Sequence, residues 1–306
     1  MRKEQFEFEG FGGVKLPAVI WLPDGDIRRV LQIAHGMTEH IGRYEDFARR
    51  MTERGIAVAG FDLRGHGRNE GDADVASFGE NGWEASLEDM RLFFAQLRAR
   101  FPDLPHDMLG FSLGSFLLKE YLGRWSTGVD RAVIMGTGHQ PPLVLSVMMA
   151  VVSGQIKKGG FDNTTPLVRQ LSFGTYNQKF KPNRTQSDWL CADSAQLDQY
   201  LGDSLCRRDI SSGLFWQLLG AMKRTGRADA WIGVNKEMPV LLISGQEDPV
   251  GDGGKGVLAV LKQMKRAGMH RAELKLIPGA RHMLLSEQES GAAEEALSSV
   301  LDFLMG

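Results

Sequence analysis

Cysteine is scarce in this chain: Cys191 and Cys206 are the two among 306 residues. Their separation fits neither a zinc-ligand pattern nor a redox pair, so a disulfide framework is not expected and both read as free thiols in a reducing cytoplasm. Basic runs are missing as well. No stretch of Lys or Arg is longer than two and the formal net charge is -2, so the chain lacks the electrostatic footprint of a nucleic-acid binder. Long apolar runs are absent too. The longest, PPLVLSVMMAVV, falls short of the about 18 residues a membrane-spanning helix needs. The opening, MRKEQFEFEG, alternates charge with Phe and has no apolar h-region, which argues against a signal peptide. There is no internal repeat and no low-complexity tract. What remains is ordinary globular composition, 42% hydrophobic and 24% charged, in a length that suits one large α/β domain or two smaller ones.

Eight short apolar runs are bounded by Gly, Pro or charge: FEFEGF, KLPAVIWLP, RVLQIAHG, AVAGFDLR, DMLGF, RAVIMGT, PVLLISG and AELKLIPG. From the third onward most lack strict alternation, as strands do when both faces of a parallel sheet are covered. Between them lie helical spacings, such as Trp83, Leu87, Met90, Phe94 and Leu97, and later Leu297, Val300, Leu301 and Leu304. Strand and helix alternate over 29–137 and again over 239–305, which predicts a doubly wound α/β fold around a mostly parallel eight-stranded sheet with helices on both faces. The alternation breaks from about Gly138 to Asn235. A strandless segment of that length is expected to be an inserted helical subdomain rather than a loop. The expected division is therefore a core of 1–137 and 236–306 interrupted by a helical cap over 138–235.

Gly110-Phe111-Ser112-Leu113-Gly114 has the form G-x-S-x-G between a strand-like and a helix-like run. A serine on such a turn is presented at the carboxyl edge of the sheet, where the following helix N-terminus favours developing negative charge. The same five residues also describe a plain tight turn with a hydrogen-bonding Ser, so partners must decide. A serine hydroxyl needs a base, usually His, oriented by a carboxylate. His282, in LIPGARHMLL, lies just past the last strand. His106 and His270 precede strands and fall on the wrong edge, and His139 follows a strand as a weaker competitor. The stretch GQEDPVG puts Glu247 and Asp248 beyond another strand end. An acid there is often a cap or turn former, but Ser112, Asp248 and His282 at three strand ends follow the chain order of an α/β-hydrolase. Leu113, and Met37 in IAHGMTEH, are the expected backbone donors to an oxyanion. Metal and cofactor motifs fail: Lys255 in GDGGKG is followed by Gly, and Gly36 follows His35 where a zinc-binding helix carries Glu. No metal and no cofactor is expected.

Taken together, HGMTEHIGRYEDFARRMTERGIAVAGFDLRGHGRNEG, GFSLGS, GQEDPV and PGARHMLLSE resemble the monoacylglycerol lipase and lysophospholipase group of α/β-hydrolases and, more distantly, proline-iminopeptidase-like serine peptidases. H-G-x-x-E-H-x-x-R-Y and D-x-x-G-H-G are the most specific parts; over the insertion the likeness is weak. The resemblance implies Ser112 as nucleophile, Asp248 as orienter and His282 as base, with Met37 and Leu113 as amide donors. It puts Glu39, His40, Arg43, Tyr44, Asp62 and His66 at positions that organise loops. The group often has G-H-S-M-G-G where this chain has Phe111 and Ser115, changes that bear on substrate preference rather than mechanism. It also carries an inserted cap where 138–235 interrupts this chain. There Leu143, Val144, Val147, Met148, Val151 and Val152 are expected on one apolar face, and Phe215, Trp216, Leu218, Leu219 and Met222 on another. The expected activity is hydrolysis of a carboxylic ester with an apolar acyl group, monoacylglycerol-like or lysophospholipid-like, through an acyl-enzyme on Ser112. The expected partner is a small-molecule or lipid substrate, with transient membrane-surface contact through the cap. A peptidase or amidase of the same fold and a non-catalytic ligand-binding relative are the alternatives, with Asp188, Asp193 and Asp198 as acids that could hold a substrate ammonium. Oligomeric state is left open.

Overall fold

A computed structural model describes residues 1–69, 75–206 and 209–306. All eight apolar runs become strands of one sheet: β1 (Arg2–Glu9), β2 (Lys15–Leu22), β3 (Arg29–Ala34), β4 (Ile56–Phe61), β6 (His106–Phe111), β7 (Arg131–Met135), β9 (Val240–Gly245) and β10 (Ala272–Ile277). Their spatial order is β1-β2-β4-β3-β6-β7-β9-β10. The β1–β2 and β2–β4 pairings are antiparallel and the rest are parallel. Two further strands, β5 (Val75–Ala76) and β8 (Asp209–Ile210), form a separate parallel pair. At two residues each they are too short to show any periodicity in the sequence.

Successive side chains of a strand point to opposite faces, and here both faces are apolar. Within β3, Val30 and Ala34 join one buried cluster, Leu31 and Ile33 the other; β9 divides Val240 and Leu242 from Leu241 and Ile243 in the same way. The first cluster is closed by α2 (Gly82–Arg100), α3 (Leu113–Trp125) and α8 (Lys255–Arg266), through residues such as Leu87, Phe116 and Val260. The second is closed by α1 (Glu45–Thr52) and α9 (Ala292–Met305), through Phe47 and Val300. Each such fully buried side chain contributes about 1.5–3 kcal/mol, which is why these strands read as continuous apolar runs.

Between β7 and β9 the chain runs through α4 (Pro142–Gly159), α5 (Pro166–Phe173), α6 (Ser194–Gly202), β8 and α7 (Ser212–Thr225). Three of these helices start on side-chain caps. Thr165 accepts from the Val168 N–H, Asp193 from Ala195 and Gln196, and Ser211 from Leu214, each satisfying a donor the first helical turn leaves unpaired. Helix α7 packs on both α3 and α4. Arg224 of α7 forks onto Glu120 of α3 at 2.8 and 2.9 Å, and the Trp83 indole N–H donates to the same carboxylate at 2.9 Å.

Helix α4 departs from the expectation of one shared apolar face. Leu143, Val144, Val147 and Val151 face solvent, Leu143 being 76% exposed, whereas Leu145 and Val152 are buried and Met148 is half-buried. Positions 145, 148 and 152 follow the three- and four-residue helical step and form the inward row; the other four lie across the helix from it. Trp216 likewise sits on the outer side of α7, at 36% exposure, while Phe215, Leu218 and Leu219 are buried.

Candidate active site

The carboxyl ends of β3, β6, β9 and β10 converge on Ser112. This residue sits between the last residue of β6 and the first of α3, with φ 49° and ψ -114°. It is one of three non-glycine residues with positive φ among those described, a strained conformation for an L side chain. The flanking glycines are required by backbone approach. A Cβ on Gly110 would stand 2.4 Å from the Gly114 carbonyl oxygen, and a Cβ on Gly114 would stand 2.0 Å from that of Ala34.

Ser112 Oγ lies 2.9 Å from His282 Nε2, and His282 Nδ1 lies 2.9 Å from Asp248 Oδ2. A carboxylate only accepts, so Nδ1 carries the proton and Nε2 is left to accept from the serine hydroxyl. Asp248 is fully buried, and it is held by the Val250 N–H at 2.8 Å and the Ser244 hydroxyl at 3.2 Å. Its neighbour Glu247 is exposed. Two aromatic rings contact the imidazole: Phe111 with centroids 5.0 Å apart and Trp189 at 5.2 Å. Tyr176, packed on Trp189 at 4.9 Å, has its phenol pushed up to about 12 by burial and by the Asp248 charge.

The turn after β3 is pinned by its own side chains. Glu39 accepts from the Gly36 N–H at 2.6 Å, the Tyr44 hydroxyl at 2.8 Å and Arg43 Nε at 3.3 Å. His35 Nε2 accepts from the Leu63 N–H at 2.9 Å while Nδ1 donates to the Gly36 carbonyl at 2.7 Å. Burial lowers its pKa, which favours that neutral form. Asp62 accepts from Ile41 and Arg68 N–H groups, and His66 Nδ1 reaches the Arg64 carbonyl. His40 Nε2 meets Asp203 Oδ2 at 2.8 Å, tying this turn to the segment after α6. The end of the quoted motif, Glu70 and Gly71, lies outside the described residues.

Met37, Ser112, Leu113 and His282 share a cavity of about 540 Å³ whose walls include Phe116, Met148, Phe215, Leu218, Leu219 and Met222. Arg169 and Asp209 also line it, paired to each other. A second cavity of about 560 Å³ shares Glu39, Phe111 and Met283 with the first but touches none of Ser112, Asp248 and His282. No other histidine among the described residues lines the cavity that holds Ser112. His106 opens β6 and bonds the Phe101 carbonyl at 2.9 Å; His139 lies beside Gly226. Among the described residues, His40, Asp203 and Cys206 are the one trio with metal-ligating atoms within 4.8 Å of one another, and in it His40 and Asp203 already bond each other.

Sequence patterns do not reveal Trp189, Tyr176 or Arg281. Arg281 Nη1 donates to the carbonyls of Asp188 at 2.6 Å and Cys191 at 3.3 Å, and Met283, on the other side of His282, donates its N–H to Leu190 at 2.7 Å. The one signal available was adjacency of Arg281 to His282.

A family model spans residues 25–289. The chain is 26% identical over 298 residues to the monoacylglycerol lipase of Mycolicibacterium smegmatis, covering 94% of this chain and 92% of that protein. It is 28% identical over 269 residues to the monoglyceride lipase of Homo sapiens, covering 87% and 79%. The crystal structure of a thermostable carboxyl esterase from Bacillus coagulans superposes with a TM-score of 0.88 at 24% identity, over 99% of both chains; that likeness speaks to the fold alone. With most of its length inside one family model and an eight-stranded sheet of matching build, the chain belongs to the α/β-hydrolase family described as serine aminopeptidase, S33.

Proposed function

We propose that this protein is a carboxylic-ester hydrolase acting on esters with an apolar acyl group, of the monoacylglycerol or lysophospholipid kind. The observation that carries the reading is the hydrogen-bonded chain Ser112–His282–Asp248 opening on an apolar cavity. Ser112 Oγ attacks the ester carbonyl carbon as His282 Nε2 takes the hydroxyl proton. The carbonyl oxygen becomes an oxyanion held by the backbone N–H groups of Met37 and Leu113. The C–O bond to the alcohol then breaks, the leaving oxygen takes the proton from Nε2, and an acyl-serine remains. Water attacks that ester, gives a proton to Nε2, and collapse releases the carboxylic acid while Ser112 recovers its proton. Asp248 stays ionised throughout, fixing the tautomer and stabilising the imidazolium.

In this reading residues 138–235 form a cap whose inward wall, Met148, Phe215, Leu218, Leu219 and Met222, receives the acyl chain. Flexible Met side chains suit acyl groups of varied length. The outward row of α4, from Leu143 to Val151, meets the lipid surface on which such substrates reside. Two buried, unpaired thiols fit residence in a reducing cytoplasm. An aminopeptidase needs a free acid for the substrate ammonium. Asp188 is bonded to Arg184 and Thr185, Asp193 caps α6, Asp198 pairs with Arg184, and none lines the cavity.

Labelling with a fluorophosphonate probe and hydrolysis of monoacylglycerol, lysophospholipid and aminoacyl-amide panels test the reading. Adduct formation at Ser112, with ester turnover lost in Ser112→Ala, is the expected result. Absence of an adduct would favour a binding protein, and faster amide than ester hydrolysis a peptidase.

A further inference from the structure

Two hydrogen bonds fix the ends of the His282 imidazole, but hydrogen bonds alone let the ring tilt about them and carry Nε2 away from Ser112. Packing against the ring itself removes that freedom. One contributor is Phe111, at the end of β6 in the sheet. The other is Trp189, from the segment between α5 and α6, 7% exposed and with its plane 35° from that of the imidazole.

The seating of Trp189 is specified on every side. Its backbone N–H donates to Asn177 Oδ1 at 2.8 Å. Phe173 stacks on its indole at 5.6 Å and Tyr176 meets it edge-on at 4.9 Å. Residues 188, 190 and 191 of the Trp189 segment accept hydrogen bonds from residues 281 and 283, the immediate neighbours of His282. Glu287 closes the seam by accepting from the N–H groups of Ala192 at 2.9 Å and Arg281 at 3.1 Å. The indole and the imidazole are thus brought together by the same hydrogen-bonded seam.

We infer that Trp189 is a positioning residue for His282: the inserted segment carries the ring that holds the imidazole aimed at Ser112, so the base is complete only while that segment is seated. The inference rests on the reading of His282 as the general base. The aromatic face also favours the positive charge that the imidazole acquires when it takes the Ser112 proton. An aliphatic side chain is apolar but offers no such face.

The test compares Trp189→Leu and Trp189→Phe with the wild type, using p-nitrophenyl acetate, whose acyl group is too short to need the cavity walls, and a fluorophosphonate. Trp189→Leu is expected to lower kcat and the labelling rate of Ser112 about tenfold, the scale of a lost ring–cation contact, with KM nearly unchanged. Trp189→Phe is expected to recover most of that loss. Equal labelling of the leucine variant and the wild type overturns the inference, as does a loss confined to KM or a phenylalanine variant no better than leucine. If Trp189→Leu does not fold by circular dichroism, Trp189→Met, also flexible and apolar, takes its place with the same expectation. Wild-type protein that never labels at Ser112 is a different failure, since it removes the acyl-transfer reading itself.

Discussion

The carboxylate of Glu39 and the backbone N–H of Gly36 meet at 2.6 Å across the turn that carries Met37. The same oxygen accepts from Tyr44, so one buried acid fixes the backbone that is proposed to present an oxyanion donor. Glu39→Ala frees that turn and leaves the Gly36 N–H without its partner. We expect kcat for a soluble ester to fall about 10- to 100-fold, less than loss of an oxyanion donor outright, and stability to fall by about 2 kcal/mol. Steady-state kinetics and urea unfolding check both; a wild-type kcat would sink the assigned role.

Gly114 and Gly154 make a matched pair. A Cβ at Gly114 overlaps the Ala34 carbonyl oxygen, whereas one at Gly154, inside α4, meets nothing within 4 Å. Gly114→Ala is expected to cost about 3 kcal/mol or more through overpacking. Gly154→Ala is expected to stabilise by about 0.5–1 kcal/mol through helix propensity. Opposite shifts of Tm are the expected readout, and shifts of the same sign contradict it.

Lys119 on α3 is buried, and loss of hydration pulls its ammonium from 10.5 down to about 7. Between those values the unfolded chain holds a proton the folded chain has released, so this group makes stability rise with pH, by up to about 1.4 kcal/mol per unit. Below pH 7 both states are protonated and the buried charge exacts its full penalty. Lys119→Met is therefore expected to exceed the wild type in stability most at pH 6.5, with the margin shrinking towards pH 9.5. Urea titrations at the two pH values measure it, and a margin independent of pH refutes the assignment.

The outward row of α4 makes a separate expectation about lipid. Leu143→Asp with Val147→Asp replaces two exposed apolar side chains that line no part of the Ser112 cavity. Partitioning onto phosphatidylcholine vesicles is expected to drop at least about tenfold, given about 1.5–3 kcal/mol per buried side chain. Hydrolysis of p-nitrophenyl acetate in solution is expected to stay unchanged. Sedimentation with vesicles decides, and undiminished binding removes α4 as the contact.

The sheet was legible because burial on both faces writes itself as short apolar runs, and each run is a strand where expected. Ser112, Asp248 and His282 were legible because each stands just past one of those runs, and the structure joins them by two hydrogen bonds. Trp189 was not legible. It meets His282 through tertiary closure of a segment with no strand period, and a lone Trp carries no pattern of its own. Helix α4 differs from expectation for a related reason: a Val- and Met-rich composition locates the apolar residues but not the two sides of the helix on which they fall.

The connection from β7 to β9 joins strands that are direct neighbours in the sheet. A single crossover helix would satisfy the same geometry, so the long route taken here is not required by the pairing of the two strands. The walls around Ser112 can therefore be exchanged without rebuilding the strands. One joint limits that freedom: any replacement must still offer carbonyl groups to Arg281 and Met283, or the histidine between them loses its footing.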